Sequence, residues 1–473
     1  MISTAHKPPQ LAQPNQSPTR LQIKVKTGRE RRPERPAISG SELSDLLSPV
    51  TPESFTTQYW CRKPLFIKGH PEKLQQLFPG GFGRQDFERA VREAARQKVP
   101  GFRLLARKHQ GLSALGNKLP PPYIMIDPDQ MEWMVASGAN ISASSIIDQR
   151  VATLAAAIKA QLHHLGEIRA VATFSTQGNG WPPHVDAVSG LLIQCEGRKR
   201  FLISPEPVAQ WPRWHTIFAS DGTPASYPED IEPWEEIERI ELGSLIEVIM
   251  EPGDVLFLPP GTVHATEALS ASTLNLGLMC EHTNFLRLMS RALEGMLISD
   301  PAWRHFPPVN SASTQPGELP AEAAAFFAAR LAELREVVNA LTPESPELHR
   351  LWQRLIADPG ESILTSLPFR AAPPDSRPVR RKDLLRVSRQ APITYALGTD
   401  RDGAARLDLY FADKEVSVAG EWVPFLKTMV ARQRFTAESA TQWAEDGEAY
   451  AWEIVQEYLG ALLDQGILER EVA

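Results

Sequence analysis

Three side chains in this sequence have the types and spacing to hold a metal ion. His184 and Asp186 stand two apart in TQGNGWPPHVDAVSG, and His264 closes EPGDVLFLPPGTVH. In a β-strand, residues i and i+2 point to the same face, so His184 and Asp186 can enter a barrel together. Asp254 to Leu258 reads as a strand, Pro259-Pro260-Gly261 as a turn, and His264 as the start of the next strand. Two imidazoles and one carboxylate on one side of an ion form a 2-His-1-carboxylate triad. That set suits iron(II) because it leaves positions open for a co-substrate and dioxygen. Zinc with the same three ligands is the chemical competitor.

An HxD triplet by itself is common. Here an apolar strand, LLIQCEG, follows it directly and ends in Gly197-Arg198-Lys199-Arg200, which places a cation in the same barrel. The turn-strand-turn approach PGDVLFLPPGTVH leads into the second histidine. Other polar candidates are weaker. His163, His164, His215 and His282 read as surface or packing residues, and Asp254 as the structural carboxylate of a PGD turn.

Elements that position the triad are legible around it. From 169 to 282 the runs RAVATFSTQ, SGLLIQCEG, KRFLISP, SLIEVIMEPGDVLFLPPG and STLNLGLMC are short, β-branched and separated by Gly and Pro, as in an antiparallel barrel or jelly roll. Residues 205–245 form a Trp- and Pro-rich insertion, expected to be a long loop. Upstream, 41–168 predicts two short capped helices, a strand at 64–67, a helix over 83–98, a strand at 102–108 and a helix over 148–164. MEWMVASGANISAS mixes signals and is left unassigned. Downstream, 283–356 is helical, and LPFRAAPPDSRPVRRKD reads as a linker.

The expected fold is therefore α+β: a double-stranded β-helix (jelly-roll, cupin) core with flanking helices, a helical block and a C-terminal winged-helix-like module. The domain limits are 1–40 as a disordered tail, 41–282 as the catalytic domain with its barrel at 169–282, 283–385 as helical block plus linker, and 386–473 as the last module. That module reads strand, strand, helix, helix, helix. The tail is rich in Pro, Gln, Ser and Arg, and its arginines 29, 31, 32 and 35 read as solvated.

Composition fits a globular protein, with 42% hydrophobic and 23% charged residues over 473 positions. A net charge of -7 gives no global attraction to nucleic acid or an anionic membrane. No run of 18 apolar residues is present, so no membrane span is expected, and no secretory h-region opens the chain. Three scattered cysteines, Cys61, Cys195 and Cys280, argue for a reducing compartment, and the expected location is cytoplasmic.

From Phe174 to Met279 the sequence resembles the JmjC/cupin-like oxygenases, which use iron(II) and 2-oxoglutarate. The resemblance implies that His184, Asp186 and His264 are catalytic metal ligands and that Lys199 binds the far carboxylate of 2-oxoglutarate, a role for which a buried cation is suited. It further implies that hydroxyl and amide groups complete the co-substrate pocket, for which Ser175 (with Thr173 on the same strand) and Asn275 are the candidates. Gln194 and Trp181 stand beside them. YWCRKPLFIKG resembles the entry strand of JmjC hydroxylases, and the helical block with its terminal module resembles the JmjC ribosomal oxygenases. That likeness implies hydroxylation of a protein or peptide side chain, with a ribosomal protein as one such substrate, and a homodimer formed by the helices. The sequence departs from the bacterial members in having Lys199 where they tend to have Arg, in the 205–245 insertion, and in TQGNGWPP where they have a Gly-rich run.

Two other readings stand beside hydroxylation of a protein. One is a tailoring oxygenase for a small peptide natural product. The other is a non-catalytic cupin whose terminal module binds a partner. Glu438, Glu445, Asp446, Glu448, Glu453, Glu457 and Asp464 make that module acidic, which disfavours nucleic acid.

Overall fold

The computed structural model describes residues 22–25, 34–107, 123–213, 215–219, 221–225, 237, 239–307, 319–358, 364, 367, 377–400, 402–445 and 447–471. After strand β1 (Gln22–Val25) come helices α1 (Glu42–Leu47) and α2 (Pro52–Gln58), strand β2 (Leu65–Ile67), and helices α3 (Pro71–Leu77) and α4 (Arg84–Arg96). Strands β3 (Arg103–Arg107) and β4 (Ile124–Met125), helix α5 (Met131–Ala136), strand β5 (Asn140–Ser144) and helix α6 (Gln149–Gln161) follow. The unassigned stretch is thus a helix and a strand joined by Gly138, which adopts φ +81°.

The barrel comprises β6 (Ile168–Ser175), β7 (Gly180–Val185), β8 (Ser189–Glu196), β9 (Lys199–Ile203), β10 (Thr216–Phe218), β11 (Pro224–Ala225), β12 (Ile246–Met250), β13 (Val255–Leu258), β14 (His264–Ala268) and β15 (Thr273–Cys280). Two antiparallel sheets result. One runs β2-β13-β8-β15-β6-β5-β3-β4, the other β11-β10-β7-β14-β9-β12. Alternation divides the larger sheet by face. Leu191, Ile193, Leu274, Leu276, Leu278 and Phe174 pack outward with Phe55, Phe87, Val91, Leu154 and Ile158 of the helices. Their neighbours Leu192, Gln194, Thr273 and Asn275 lie on the opposite face. Leu192, Leu256 and Leu258 meet Phe201, Ile203 and Met250 of the second sheet in a smaller apolar cluster.

The described residues of the insertion form more than a long loop. Its strands β10 and β11 extend the second sheet beyond β7, and Phe218, Ile237 and Ile240 close over Val185 and Val263. Burial of these apolar side chains stabilises a segment whose Pro content suggests only turns.

Helices α7 (Phe285–Leu297), α8 (Pro301–Arg304), α9 (Ala321–Ala340) and α10 (Pro346–Ala357) form the helical block. The C-terminal part contains β16 (Leu384–Val387), β17 (Ile393–Thr399), β18 (Ala405–Phe411), β19 (Lys414–Ala419), α11 (Val423–Arg432), β20 (Arg434–Thr436), α12 (Trp452–Asp464) and β21 (Leu468–Arg470). Its order differs from the expected strand, strand, helix, helix, helix. The expected pair of strands is the hairpin β18-β19, whereas β16, β17, β20 and β21, of three to seven residues, carry too little periodicity to be read singly. The part has its own core around Trp422, Phe425, Leu459 and Phe411.

The expectation of a disordered tail over 1–40 is corrected for its described portion. Strand β1 pairs antiparallel with the edge strand β19, from Gln22↔Ser417 to Val25↔Lys414. Arg35 is buried and donates to the Gln390 carbonyl at 2.8 Å, and the Ile38 amide donates to Gln390 Oε1 at 2.7 Å. Partners so distant in sequence leave no trace in local composition. Arginines 29, 31 and 32 lie outside the described residues. Among the described residues, no helix is long and apolar enough to cross a membrane.

Candidate metal centre

Strands β7 and β14 pair so that His184 and His264 stand directly opposite each other. Two devices hold this pairing. Gly180 has no Cβ because one would lie 1.7 Å from the Thr266 carbonyl oxygen, so glycine lets β7 close on β14. Gly261 adopts φ +80° in the turn before β14, and its amide donates to the Asp186 carbonyl at 3.0 Å. The turn is thereby tied to the residue just past the end of β7.

Both histidines are buried, with imidazole centroids 3.9 Å apart. Each uses Nδ1 in a hydrogen bond to the carbonyl two residues earlier, His184 to Pro182 at 2.8 Å and His264 to Thr262 at 3.0 Å. Donation from Nδ1 fixes the tautomer and leaves the Nε2 lone pair of each ring free. Asp186 Oδ2 lies 4.0 Å from His184 Nε2 and 3.6 Å from His264 Nε2. The three ligand atoms lie within 4.8 Å of one another. An ion about 2.1 Å from each of them needs separations of about 3–4 Å, so the set fits with little adjustment. Burial, and then the neighbouring imidazole, lowers the His184 pKa well below the ordinary histidine value. Burial also lowers that of His264. Both rings are thus neutral and able to ligate. Burial alone would raise the Asp186 carboxyl, but the hydrogen bond from His215 holds it well below the usual range, so it is ionised.

His215 is exposed, as expected of a surface residue, and its Nδ1 also lies 2.8 Å from Asp186 Oδ1, with its ring 5.0 Å from that of His184. This leaves Oδ2 as the oxygen turned toward the two Nε2 atoms. Within 205–245 it is the one histidine, which was the only available signal.

The larger sheet supplies the wall facing the triad. Register aligns Thr173 with Asn275 and Asn275 with Gln194. Asn275 Nδ2 donates to Gln194 Oε1 at 3.1 Å, and Gln194 Nε2 donates to the carbonyls of Glu196 and Gly197. Lys199 comes from the opposite sheet, and its Nζ donates to Thr173 Oγ1 at 3.1 Å. It is 2% exposed and has no carboxylate partner among the described residues. Burial lowers its pKa to about 7. Its neighbours face outward: Arg200 pairs with Glu247 and Glu267, and Arg198 with Glu251. Ser175, on the strand of Thr173 and with the same facing, is fully buried, and its Oγ has no partner among the described residues.

Asp254, His282 and His164 are structural, whereas Trp181 stands beside the metal centre. Asp254 accepts from the amides of Gly69 and Glu251 and pairs with Lys68, locking the turn as expected. His282 lies 2.8 Å from Ser189 Oγ, and His164 packs beside it. Trp181 lies between Tyr123 and His184, with ring centroids at 5.0 and 6.0 Å. Tyr123 immediately precedes β4, a two-residue strand too short to be read from the sequence.

Residues 147–287 match the family model of the JmjC domain. YxbC of Bacillus subtilis (strain 168) is 24% identical over 318 residues, covering 65% of this chain and 91% of that protein. The ribosomal protein uL16 3-hydroxylase of Escherichia coli (strain K12) is 25% identical over 302 residues, covering 62% of this chain and 68% of that one. Ribosomal oxygenase 1 of Gallus gallus is 24% identical over 282 residues, covering 56% of this chain but 41% of its own length.

Proposed function

With a JmjC domain at residues 147–287, we propose that this protein is an iron(II)- and 2-oxoglutarate-dependent dioxygenase that hydroxylates a side chain of a protein or peptide. The observation that carries the proposal is the pair of Nε2 lone pairs and one ionised carboxylate, preset by backbone carbonyls and by His215. Support for a protein substrate comes from the uL16 hydroxylase and the ribosomal oxygenase among its relatives, and a ribosomal protein is the substrate class proposed first. The acidic surface of the C-terminal part suits recruitment of a basic partner.

His184, Asp186 and His264 would hold the iron, which supplies activation of dioxygen when bound together with 2-oxoglutarate. Lys199 would neutralise the carboxylate of 2-oxoglutarate remote from the iron. Its only described hydrogen bond is to a neutral hydroxyl, so the ammonium awaits an anion. Ser175 Oγ would donate to the same carboxylate, and Asn275, braced by Gln194, would close the pocket wall. Phe201, part of the apolar cluster with Ile203, Met250, Leu256 and Leu258, lies with its ring centroid 5.6 Å from Lys199 Nζ, and this cluster would keep water from the ammonium. The net reaction gives succinate, carbon dioxide and a hydroxylated side chain.

A homodimer is proposed through the helical block, whose Phe285, Leu286, Phe327 and Leu331 are exposed. A cytoplasmic location agrees with three free thiols.

Incubation of the protein with iron(II), 2-oxoglutarate, dioxygen and purified ribosomal proteins tests the function. The expected result is a mass gain of one oxygen atom on one of those proteins, matched by succinate. Succinate formation without any modified ribosomal protein would move the substrate to another protein or to a small peptide product. Absence of 2-oxoglutarate turnover would refute the enzyme and favour the binding-protein reading.

A further inference from the structure

The sheet face that bears Thr173 and Ser175 continues onto β5 and β3. It holds polar groups there that the chemistry above does not use. Ser142 pairs with Thr173 and with Leu105, and Asn140 pairs with Arg107. Two-residue periodicity places Arg107 and Asn140 on the same face as Ser175. Arg107 is 5% exposed and Asn140 is 3% exposed. The Arg107 Nη1 donates to Tyr123 Oη at 2.7 Å, and its guanidinium lies 4.8 Å from the centroid of that ring. Tyr123 stacks on Trp181, and Trp181 reaches His184, so the group is continuous with the metal centre.

Three buried polar atoms of this group have no partner among the described residues: Arg107 Nε, Asn140 Oδ1 and Trp181 Nε1. Native proteins rarely leave such atoms unpaired, and several in one place indicate a ligand. Their chemistry specifies it. Arg107 Nε and Trp181 Nε1 are donors that require an acceptor. Asn140 Nδ2 is committed to the Gly180 carbonyl at 2.8 Å, which leaves Oδ1 as an acceptor requiring a donor. No carboxylate pairs with Arg107 among the described residues, and the stretch 108–122 contains no Asp or Glu. A buried guanidinium without an internal counter-ion selects an anion.

We propose that Arg107, Tyr123, Asn140 and Trp181 form the subsite for the substrate side chain, and that it takes an acidic residue, aspartate or glutamate, within a peptide. This rests on the oxygenase reading. Arg107 and Trp181 would receive the carboxylate, and Asn140 Oδ1 would accept a backbone N–H of the same peptide. Lysine or arginine at that point would meet Arg107 with like charge, so cationic side chains are excluded from the subsite. Basic residues elsewhere in the substrate remain compatible with the acidic C-terminal surface.

The test uses full-length protein loaded with manganese(II) and 2-oxoglutarate without dioxygen. Labelled acetyl-Gly-Ala-Xaa-Ala-Gly-amide peptides with Xaa = Asp, Glu, Asn, Lys or Arg are titrated by fluorescence anisotropy. The Asp or Glu peptide is expected to bind at least tenfold tighter than the Lys and Arg peptides. Arg107→Gln should remove that preference while leaving 2-oxoglutarate affinity unchanged, and Arg107→Glu should reverse it. Preference for Lys or Arg, equal binding of all five, or an acid preference surviving Arg107→Gln would each overturn the proposal. A fall in 2-oxoglutarate affinity in Arg107→Gln would also overturn it, by assigning Arg107 to the co-substrate. Iron-dependent succinate formation is measured alongside. If it persists while the peptides show no acid preference, the subsite fails and the oxygenase stands. If it is absent, the oxygenase reading itself fails.

Discussion

Replacing Lys199 with methionine keeps the length of the side chain and removes its charge. The ammonium is fully buried, and burial brings its pKa from 10.5 to about 7, which corresponds to roughly 4–5 kcal/mol of lost hydration as an order of magnitude. Two effects of opposite sign follow. Without 2-oxoglutarate, folding disfavours the charged form. That cost is full below about pH 7 and fades as the pH rises toward 10.5, where the unfolded chain also loses the proton. Lys199→Met should therefore raise the Tm of ligand-free protein at pH 7 and have little effect near pH 10. With 2-oxoglutarate the sign reverses, because the mutant leaves a carboxylate buried without a partner, at about 2–5 kcal/mol, or about 30-fold or more in Kd. Proton linkage gives a sharper signature. At pH 8 about nine-tenths of Lys199 is neutral in the free protein, so binding the dicarboxylate should take up close to one proton. At pH 6 it should take up almost none, and affinity should weaken as the pH climbs above 7. Calorimetry on the manganese(II) protein in two buffers of different ionisation enthalpy reads the uptake directly. Equal 2-oxoglutarate affinity in the mutant, or no proton uptake at pH 8, would refute the assignment of Lys199.

His215→Ala removes the hydrogen bond that fixes Asp186 Oδ1. Affinity for manganese(II) or cobalt(II) should fall about tenfold in a competition titration, as removal of an orienting partner generally costs. Unchanged affinity would reduce His215 to a bystander in the insertion. Leu286→Glu combined with Leu331→Glu on the exposed faces of α7 and α9 should convert a dimer into a monomer by light scattering while metal binding is retained. A wild-type protein that is already monomeric would dismiss the dimer.

The centre of the fold was legible because it obeys short rules. HxD on a strand, a PG turn before the second histidine, and apolar runs of period two are local signals; Lys199 is singled out by the family resemblance, and strand alternation accounts for its facing inward while Arg198 and Arg200 face outward. What could not be read depends on partners distant in sequence. Strand β1 exists because β19 offers a free edge, and Arg35 is buried because Gln390 receives it. His215 reaches Asp186 because the insertion folds onto β7, with Phe218 and Ile240 burying against Val185. Arg107 reads as the polar end of a strand until β5 and β6 place it on the face of the site.

We propose above all that His184, Asp186 and His264 hold a catalytic iron. The most direct measurement is metal-dependent conversion of 2-oxoglutarate to succinate, followed as iron(II) is titrated into metal-free protein, for the natural sequence and for His184→Ala matched by thermal melt. Turnover should saturate at one iron(II) per chain and be lost in the folded His184→Ala variant. Turnover that persists in that variant, or a natural protein that binds one zinc(II) per chain and never turns over 2-oxoglutarate with iron(II), would contradict it.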